Sequence, residues 1–565
     1  MLSIRKIGIL SRTYRHLNRY RQILGVLISY GFGEIVDLLK IDQYIDVGLQ
    51  IVSKSRTGRI EKLSRAERIR MAIEDLGPTY IKLGQILSTR PDLIPADFVT
   101  EFSKLQDNVP AFEYREVEKI ILSEFGVPVE DFVSRMEETP IASASIAQVH
   151  RAYSKDGEVL AIKIRRPDIQ RTIEVDLEIM LHLATLMERH IEEIAFHNPV
   201  NIVEEFARAM GNEIDFTIEA ASMERIAGMF LNDPAVYIPK VFRDKSSRAV
   251  LTMEFIDGIK ISDLAAIEAA GLDRKLITVR GADICLKQIF HHGFFHADPH
   301  PGNIYVLPGN VICLLDFGMM GMVDRKTRED FVDLVDSIVH QQESRAVQVL
   351  LKITEWDREP NLREFEKDVS EFMGRHLYRP LKDINIGKLL QHLLELAATH
   401  RLRIPPDIFL MLKAIGAIEG IALALHPDFD MVAHATPYIQ KVKLARLEPD
   451  RLAGDILQLT STMLGFIKQF PQDMLEISRL IRQQKLTVRI EQTGLDTLMA
   501  TQDQTSNRIA FAIVIAALII GSALIVISKI PPLVYGISFI GFIGFITAAL
   551  MGVWLLTAII KKGKL

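Results

Sequence analysis

One stretch of the sequence decides the fold, HADPHPGNIYVLPGNVICLLDFG at residues 296–318. Asn303 follows Asp298 after five residues, and Asp316 follows Asn303 after another thirteen. The Pro-Gly-Asn at 308–310 separates two short apolar runs, and this turn signal predicts a β-hairpin between the polar positions. Histidines also crowd the region, at His291, His292, His296 and His300. The stretch is therefore a candidate for a histidine metal site or for a catalytic loop that uses the carboxylates.

The spacing of the carboxylates and the amide favours the catalytic loop. H-x-D-x-x-x-x-N, a hairpin and then D-F-G is the order of the catalytic and metal-binding loops of protein kinases. In that order Asp298 lies near the acceptor hydroxyl, while Asn303 and Asp316 supply the oxygen ligands that Mg²⁺ prefers. Pro299 and Pro301 break the helix face that a zinc site would use, so a metal site built from the histidines is the weaker alternative.

Upstream strands supply the other parts of a kinase-like site. The run EVLAIKIRR at 158–166 predicts a strand with Lys163 at its centre, from which the ammonium can reach the phosphates of ATP if a glutamate holds it. The run RAVLTMEF predicts a strand that ends at Glu254 and Phe255, the candidate adenine-binding hinge. No G-x-G-x-x-G precedes the lysine. Its place is taken by a loop rich in alanine and serine, Ala142, Ser143, Ala144 and Ser145.

Taken together, these motifs resemble the UbiB/ADCK family, the atypical protein-kinase-like proteins of ubiquinone biosynthesis. KLGQ at 82–85 matches the KxGQ signature of that family, and LQDNVP follows it at 105–110. ASAS at 142–145 matches the alanine-rich loop, with Ser143 in place of an alanine. EIDFTIEA begins at residue 213 and carries both an ExD pair and a lysine-pairing glutamate. The resemblance covers roughly residues 60 to 430.

The resemblance implies a role for each motif. Lys163 and Glu219 form an ion pair, Asn303 and Asp316 hold Mg²⁺, and Asp298 takes the catalytic-loop place. The KxGQ helix covers the substrate groove as a regulatory lid. The side chains implied in this lid are Lys82, Gln85, Glu213 and Asp215. The family further implies Mg-ATP as cofactor, slow ATPase activity stimulated by membranes, and support of polyprenyl-quinone biosynthesis.

Three departures from a protein kinase shape the functional interpretation. The alanine-rich loop replaces glycines, and 56 residues separate Lys163 from Glu219, which predicts an insertion. Asp324, six residues after Gly318, is a predicted helix N-cap, so no room remains for a long activation segment that would bind a peptide. The leading hypothesis is an ATPase or phosphotransferase that acts on lipid-like phenol or quinone intermediates. The alternatives are a nucleotide-binding scaffold, a true protein kinase and a histidine metalloenzyme.

The two ends of the chain predict contact with a membrane. Residues 509–527 and 533–560 carry no charge, and each run is long enough to cross a bilayer as one arm of a helical hairpin. Small residues four apart, Ala517 with Gly521 and Gly544 with Ala548 and Gly552, predict close helix packing. The basic tail predicts a cytoplasmic C-terminus, hence a two-pass protein of the bacterial inner (plasma) membrane with its kinase-like domain on the cytoplasmic side. The basic residues within 1–22 fit either a membrane-surface helix or a solvated one.

The predicted fold class is α+β, an atypical bilobal protein-kinase-like fold with an N-terminal helical KxGQ extension and a C-terminal two-helix transmembrane hairpin. The net charge of −5 and the two cysteines give no sign of nucleic-acid binding or of a disulfide framework. Expected partners are membrane lipid and quinone-pathway intermediates and enzymes, and a homodimer is left open. The predicted domains are a basic N-terminal helical segment at 1–59, the KxGQ extension at 60–140, an N-lobe with a helical insert at 141–258, a C-lobe at 259–445, an amphipathic linker at 446–507 and the hairpin with its tail at 508–565.

Overall fold

The structure, a computed structural model, describes most of the chain in two compact units, Met1–Leu452 and Ala453–Leu565. All the candidate site residues lie in the first unit. Parts of several predicted features lie outside the described residues, namely residues 1–12 of the basic segment, 106–108 of LQDNVP and much of the linker at 446–507. The described segments are 13–39, 63–88, 93–105, 109–191, 198–356, 360–377, 386–446, 495–534 and 537–562, with single positions at 90, 448 and 449 and between 460 and 482.

The first 260 or so residues combine helices with one sheet. The helices are α1 (Thr13–Ser29), α2 (Gly33–Leu38), α3 (Arg65–Leu76), α4 (Pro78–Ser88), α5 (Ala96–Phe102), α6 (Tyr114–Phe125), α7 (Val129–Phe132), α8 (Ile169–His190), α9 (Pro199–Glu213) and α10 (Phe216–Met229). The strands of the sheet are β1 (Arg135–Met136), β2 (Ala142–Ser143), β3 (Ala147–Tyr153), β4 (Val159–Arg165) and β6 (Val250–Glu254). All its pairings are antiparallel, in the order β1-β3-β4-β6, with β2 beside β3.

The alternation of side chains along β4 positions Lys163. Leu160, Ile162 and Ile164 point to one face of the sheet, where they pack against α6 and α7. Because successive side chains on a strand point to opposite faces, Lys163 points to the other face, beside α10. Since α6, α7 and β1 all belong to this lobe, the N-lobe begins before the boundary predicted at residue 141.

The N-terminal helices form a second core with the helical insert. Apolar side chains of α1, α3 and α4 pack against α8 and α9 in one cluster, in which Leu24 is fully buried. Arg19 of α1 forms a two-pronged ion pair with the buried Asp176, with N–O distances of 2.7 and 3.0 Å. Helix α1 therefore packs into the protein along one face and leaves Arg21 exposed on another, and contact of the basic segment with a membrane stays a prediction. The predicted boundary at residue 59 therefore cuts through a shared core.

The larger lobe is mainly helical, as predicted. Its helices are α11 (Leu264–Ala269), α12 (Arg274–Leu286), α13 (Arg325–Val339), α14 (Glu343–Ile353), α15 (Leu362–Leu377), α16 (Ile386–Thr399), α17 (Pro406–Leu425) and α18 (Met431–Ala445). A four-stranded sheet has the order β5-β10-β9-β7, with β5 (Val236–Tyr237), β7 (Ile259–Lys260), β9 (Ile304–Leu307) and β10 (Val311–Leu314). The predicted hairpin is β9–β10, and Gly309 and Asn310 in its turn both have positive φ. A further pair joins β8 (Phe294–His296) to β11 (Met320–Met322).

The chain after the D-F-G motif turns directly into a helix. Strand β11 ends at Met322, and Asp324 accepts a hydrogen bond from the Thr327 N–H at 2.7 Å, so it caps α13 as predicted. Gly321 lies against the Phe295 ring on β8, where a side chain would clash. This segment contains no platform of the kind that protein kinases use to bind a peptide substrate.

The second unit contains a hairpin of two apolar helices, α19 (Leu495–Ile527) and α20 (Phe539–Lys562). The segments Arg508–Ile527 and Phe539–Leu556 are long and apolar enough to cross a membrane, and only 6% and 11% of them is buried. Helix α17 also qualifies by length and composition, but 61% of it is buried in the first unit, so it is a core helix. Helix α19 begins at Leu495, which places the last residues of the predicted linker in the first arm of the hairpin.

Small residues do bring α19 and α20 close together, although not all the predicted ones take part. A side chain at Gly544 would clash with Ser522, and Ala548 is 2% exposed. Gly521 and Gly552, in contrast, have no atom within 4 Å of an added Cβ. Close packing of the two helices therefore depends on the Gly544 face and not on Gly521.

Candidate functional site

Lys163 and Glu219 meet between the sheet and α10. The Lys163 ammonium donates to Glu219 Oε1 at 2.8 Å and to Oε2 at 2.9 Å. The Phe216 ring centroid lies 5.3 Å from the same nitrogen. Glu219 stands in the first turn of α10, where the helix dipole favours a negative charge, and its side chain is almost fully buried. The fold thus brings together the two residues that the sequence paired across 56 positions.

Asp316 and Asn303 lie together where the β9–β10 hairpin closes. Asn303 Nδ2 donates to Asp316 Oδ2 at 3.2 Å, and the Gly318 N–H donates to Asp316 Oδ1 at 3.0 Å. The Leu315 N–H donates to the Asn303 carbonyl at 3.0 Å, which aligns the two loops. A carboxylate and a carboxamide side chain therefore lie next to each other.

The loop that carries Asp298 is held by His296. The Asp298 N–H donates to His296 Nδ1 at 3.2 Å, and the His296 N–H donates to Gln288 Oε1 at 3.0 Å. Burial lowers the pKa of the His296 imidazole, which favours the neutral ring that accepts this bond. His296 is therefore a structural residue of the loop, and the Asp298 carboxylate remains about half exposed.

Asp298 contacts a residue that the sequence motifs missed. Lys413 Nζ lies 3.0 Å from Asp298 Oδ1. Lys413 belongs to α17, a helix whose neighbouring residues Leu412 and Ala414 are buried. The available signal was a lysine inside a largely apolar helix, but the sequence alone gave no direction for its side chain.

Opposite charges set the protonation of the cluster. Burial lowers the pKa of the Lys163 ammonium, but Glu219, Asp316 and Glu213 outweigh that effect, so its pKa is raised. Burial raises the pKa of the Glu219 carboxyl, and Lys163 only partly offsets this. Burial also tends to raise the pKa of Asp316, but Lys163 and the other donors around it prevail and lower it. Asp316 is therefore ionised at neutral pH, as a metal ligand must be.

The KxGQ helix α4 lies against α9 through one short ion pair. Lys82 Nζ is 2.5 Å from Glu213 Oε1, with the two side chains 15% and 24% exposed. Burial raises the pKa of Glu213, and the charge of Lys82 opposes that rise. A side chain at Gly84 would clash with Leu105, so this glycine permits close packing. Gln85 Nε2 donates to the Leu105 carbonyl at 3.3 Å, which ties α4 to the segment that follows it.

Asp215, the second carboxylate of the ExD pair, caps α10. Its Oδ1 accepts hydrogen bonds from the Thr217 N–H at 3.1 Å and from the Thr217 hydroxyl at 2.6 Å. Its Oδ2 lies 3.5 Å from Arg248 Nε. Because α10 carries Glu219, the cap fixes the start of the helix that positions the lysine partner. Lys82 contacts Glu213, the first carboxylate of the pair.

Arg166 joins the alanine-rich loop to Pro110, whose carbonyl accepts a hydrogen bond from its guanidinium at 2.7 Å. The sequence motifs did not indicate this arginine. The Arg166 guanidinium donates to the Ala144 carbonyl at 2.8 Å and to Ser143 Oγ at 2.9 Å. The Ala144 N–H donates to the Ala147 carbonyl at 2.8 Å, so it is already used within the turn. Ser145 is 1% exposed, and its buried hydroxyl has no partner among the described residues. Ala142 is exposed at the edge of this loop.

The hinge strand β6 ends at Glu254, as predicted, but its donors are used inside the protein. The Glu254 N–H donates to the Lys240 carbonyl at 2.9 Å, and the Phe255 N–H donates to the Val159 carbonyl at 3.0 Å. The Glu254 carboxylate accepts from the Tyr237 hydroxyl at 2.7 Å. Because both of these N–H groups already donate within the protein, a backbone donor for an adenine would have to come from the residues that follow Phe255.

The donor set fits magnesium better than a histidine-bound metal. Mg²⁺ is usually held by one or two side-chain oxygens together with phosphates, and Asp316 with Asn303 supply that number. The described residues contain no group of three or more histidine, cysteine, aspartate or glutamate side chains that could hold a metal ion. His291 and His292 stack edge to face with their ring centroids 4.6 Å apart, while His300 Nδ1 accepts from the Gly302 N–H at 3.1 Å.

The two lobes, the Lys163–Glu219 pair and the D-F-G loop define a protein-kinase-like fold in which a helical extension packs against the site. Residues 104–350 match the ABC1 atypical kinase-like domain, 369–430 the UbiB helical domain, and 493–561 the ABC1/UbiB kinase-like C-terminal domain. The chain belongs to this ABC1/UbiB family of atypical kinase-like proteins.

Relatives match over most of their length. The "Probable protein kinase UbiB" of Cellvibrio japonicus is 36% identical over 73% of this chain and 75% of its own. The protein of the same name from Marinobacter nauticus is 33% identical over 76% and 78%. The "Uncharacterized protein in hydrogenase 1 5'region" of Clostridium pasteurianum is 31% identical over 97% and 99%.

Proposed function

We propose that this protein is a membrane-anchored kinase-like ATPase that uses Mg-ATP and supports ubiquinone (polyprenyl-quinone) biosynthesis. It acts on, or helps to extract, a lipid-like phenol or quinone intermediate. The observation that carries the ATP-dependent part is the joint presence of the Lys163–Glu219 ion pair and the Asn303–Asp316 pair. A site that had lost phosphoryl chemistry would not need all four side chains in these contacts.

Each residue of the proposed site has a separate role in phosphoryl transfer. Lys163, held by Glu219, binds the phosphates, and Asp316 with Asn303 would hold Mg²⁺, which neutralises charge that develops on them. Asp298 accepts the proton of the attacking hydroxyl or water, for which its half-exposed carboxylate is accessible.

The direct passage from the D-F-G motif into α13 favours a small or lipid-like substrate over a peptide. Only β11 and the Asp324 cap separate the motif from the helix. The largely unburied apolar helices α19 and α20 supply a membrane anchor, since burying such surface in lipid is strongly favourable. The quinone-pathway role is proposed from the resemblance to the UbiB family, and relatives named "Probable protein kinase UbiB" support it.

The first experiment separates turnover from nucleotide binding. Full-length protein in liposomes is assayed for phosphate release and for Mg-nucleotide binding, with Asp316→Asn as the test variant. Asp233→Asn is the matched control, because Asp233 also carries an ion pair, with Lys287 at 2.7 Å, but lies outside the site. We expect only Asp316→Asn to lose turnover. Wild type that binds Mg-ATP without releasing phosphate would favour the scaffold alternative.

The second experiment concerns the pathway. A deletion strain is complemented with wild type or with Asp316→Asn, and its quinones and prenylated phenol intermediates are measured. Loss of quinone and accumulation of an intermediate with the variant are expected. Normal quinone levels in the uncomplemented deletion strain would contradict the proposed pathway, whatever the ATPase result.

A further inference from the structure

We propose that Lys413, on helix α17, is a positioning residue for Asp298 and that the helical domain thereby completes the phosphoryl-transfer site of the kinase-like domain. The inference rests on the proposed function, which it deepens by adding a residue to the same site. Its central observation is the 3.0 Å contact between Lys413 Nζ and Asp298 Oδ1. The two residues lie in separately matched domains, 369–430 and 104–350.

The helix that carries Lys413 is fixed in place. Met411 and Ala414 are fully buried, and α17 packs against α12 and against β11, the strand that follows the D-F-G motif. At the N-terminal end of α17, the Arg90 guanidinium carbon lies 5.3 Å from the centroid of the Phe409 ring. A lysine on such a helix has a rigid base, so its ammonium holds the Asp298 carboxylate in one orientation.

Stability does not account for a lysine at this position. The chain loses side-chain entropy and the ammonium loses water when Lys413 is held at 20% exposure. Replacing an ion pair with apolar residues is often neutral or stabilising, and apart from Lys413 this helix carries only two charged residues, Asp407 and Glu419. The position therefore carries a charge that folding does not require, which points to chemistry at Asp298.

The catalytic loop itself offers no cation for this purpose. The position two residues after Asp298 is His300, whose Nδ1 accepts a hydrogen bond from the Gly302 N–H at 3.1 Å within the loop. Lys163 is occupied by Glu219 on the other side of the site. Lys413 thus supplies the positive charge that orients the Asp298 carboxylate toward the acceptor.

The test uses full-length protein in liposomes with Lys413→Met and Lys413→Arg. We expect Lys413→Met to lower kcat for phosphate release by about tenfold or more, because a misplaced catalytic group is costly, with KM for ATP changed less than about twofold. Lys413→Arg should restore much of kcat. The melting temperature of Lys413→Met should equal or exceed that of wild type.

The matched control is Lys352→Met. Lys352 also pairs with an aspartate of the larger lobe, Asp330, at 2.6 Å, but lies away from the site. It should leave kcat unchanged. The double variant Asp298→Asn with Lys413→Met should be no slower than Asp298→Asn alone, because Lys413 acts through Asp298.

Three results would overturn the inference. They are a wild-type kcat in Lys413→Met, a parallel fall of melting temperature and kcat, and a further loss when Lys413→Met is added to Asp298→Asn. Each of these leaves the proposed function standing. A wild-type protein that binds Mg-ATP but never releases phosphate would instead refute the proposed function, and this inference with it.

Discussion

Removing the Lys82 ammonium should destabilise the protein in a pH-dependent way. In Lys82→Ala, the partly buried Glu213 carboxylate loses the cation 2.5 Å away. Exposed ion pairs contribute about 0–1 kcal/mol, whereas breaking a buried pair costs about 3–5 kcal/mol. With side chains 15% and 24% exposed, the pair lies between these limits, so we expect a loss of about 1–3 kcal/mol in the free energy of unfolding near neutral pH.

The pH dependence follows from the pKa of Glu213. Burial raises this pKa above the ordinary value of 4.5, and Lys82 opposes the rise, so Lys82→Ala should raise it further. A carboxyl with a raised folded-state pKa contributes stability below its unfolded pKa and loses that contribution as the pH rises through the folded pKa. The variant should therefore be less stable relative to wild type at about pH 7.5 than at about pH 5.

Thermal melting at both pH values measures this effect, with phosphate release as the functional readout. Lys119→Ala is the matched control, because Lys119 pairs with Glu116 at 2.6 Å on an exposed surface, and its melting should change little. In the ATPase assay, the freed Glu213 carboxylate should alter turnover or nucleotide preference, and Lys82→Ala with Glu213→Ala should be non-additive. Wild-type melting at both pH values, with additive effects on turnover, would refute the idea that α4 acts as a lid through this pair.

Three further predictions follow from packing and domain division. Gly84→Ala should lower the free energy of unfolding by about 1–3 kcal/mol, because the added Cβ would clash with Leu105. Gly228→Ala on α10 is the control: its Cβ would meet open space, so thermal melting should show no loss or a gain of about 0.5–1 kcal/mol. Truncation after Leu452 should give a soluble protein that binds Mg-nucleotide in calorimetry, and loss of binding would contradict the unit boundary. Ala144→Gly should change the ratio of ATP affinity to ADP affinity, because removing this exposed Cβ permits closer approach of the phosphates. The same ratio in the variant and in wild type would mean that the loop does not contact the phosphates.

Local sequence determined the parts of the site that lie within one strand, turn or helix cap. The alternation of side chains predicted that Lys163 lies on one face of a strand. The Pro-Gly-Asn turn predicted the β9–β10 hairpin, and Asp324 predicted the start of α13. These features depend on backbone geometry over a few residues, which residue type and spacing specify. The family resemblance then linked the separate motifs, and the fold brings Lys163 to Glu219.

Contacts between distant elements were not contained in any local pattern. The basic composition of α1 suggested a surface helix, yet Leu24 is fully buried and Arg19 pairs with Asp176. The pattern of charges along a helix shows which of its residues are polar. It does not show whether another part of the chain packs against the helix and buries it. Asp215 likewise pairs with Arg248 and caps α10, a role that its place in the ExD motif did not indicate.

The sequence by itself determined that this chain is kinase-like, which loops carry the carboxylates, and that two apolar helices end it. Only the tertiary structure decided which cation faces Asp298. Lys413 approaches from α17, and whether a lysine on that helix points to solvent or to a catalytic loop depends on how α17 rotates as its apolar faces pack against β11 and α12. That rotation is set by the shapes of many buried side chains at once, which motif spacing does not record.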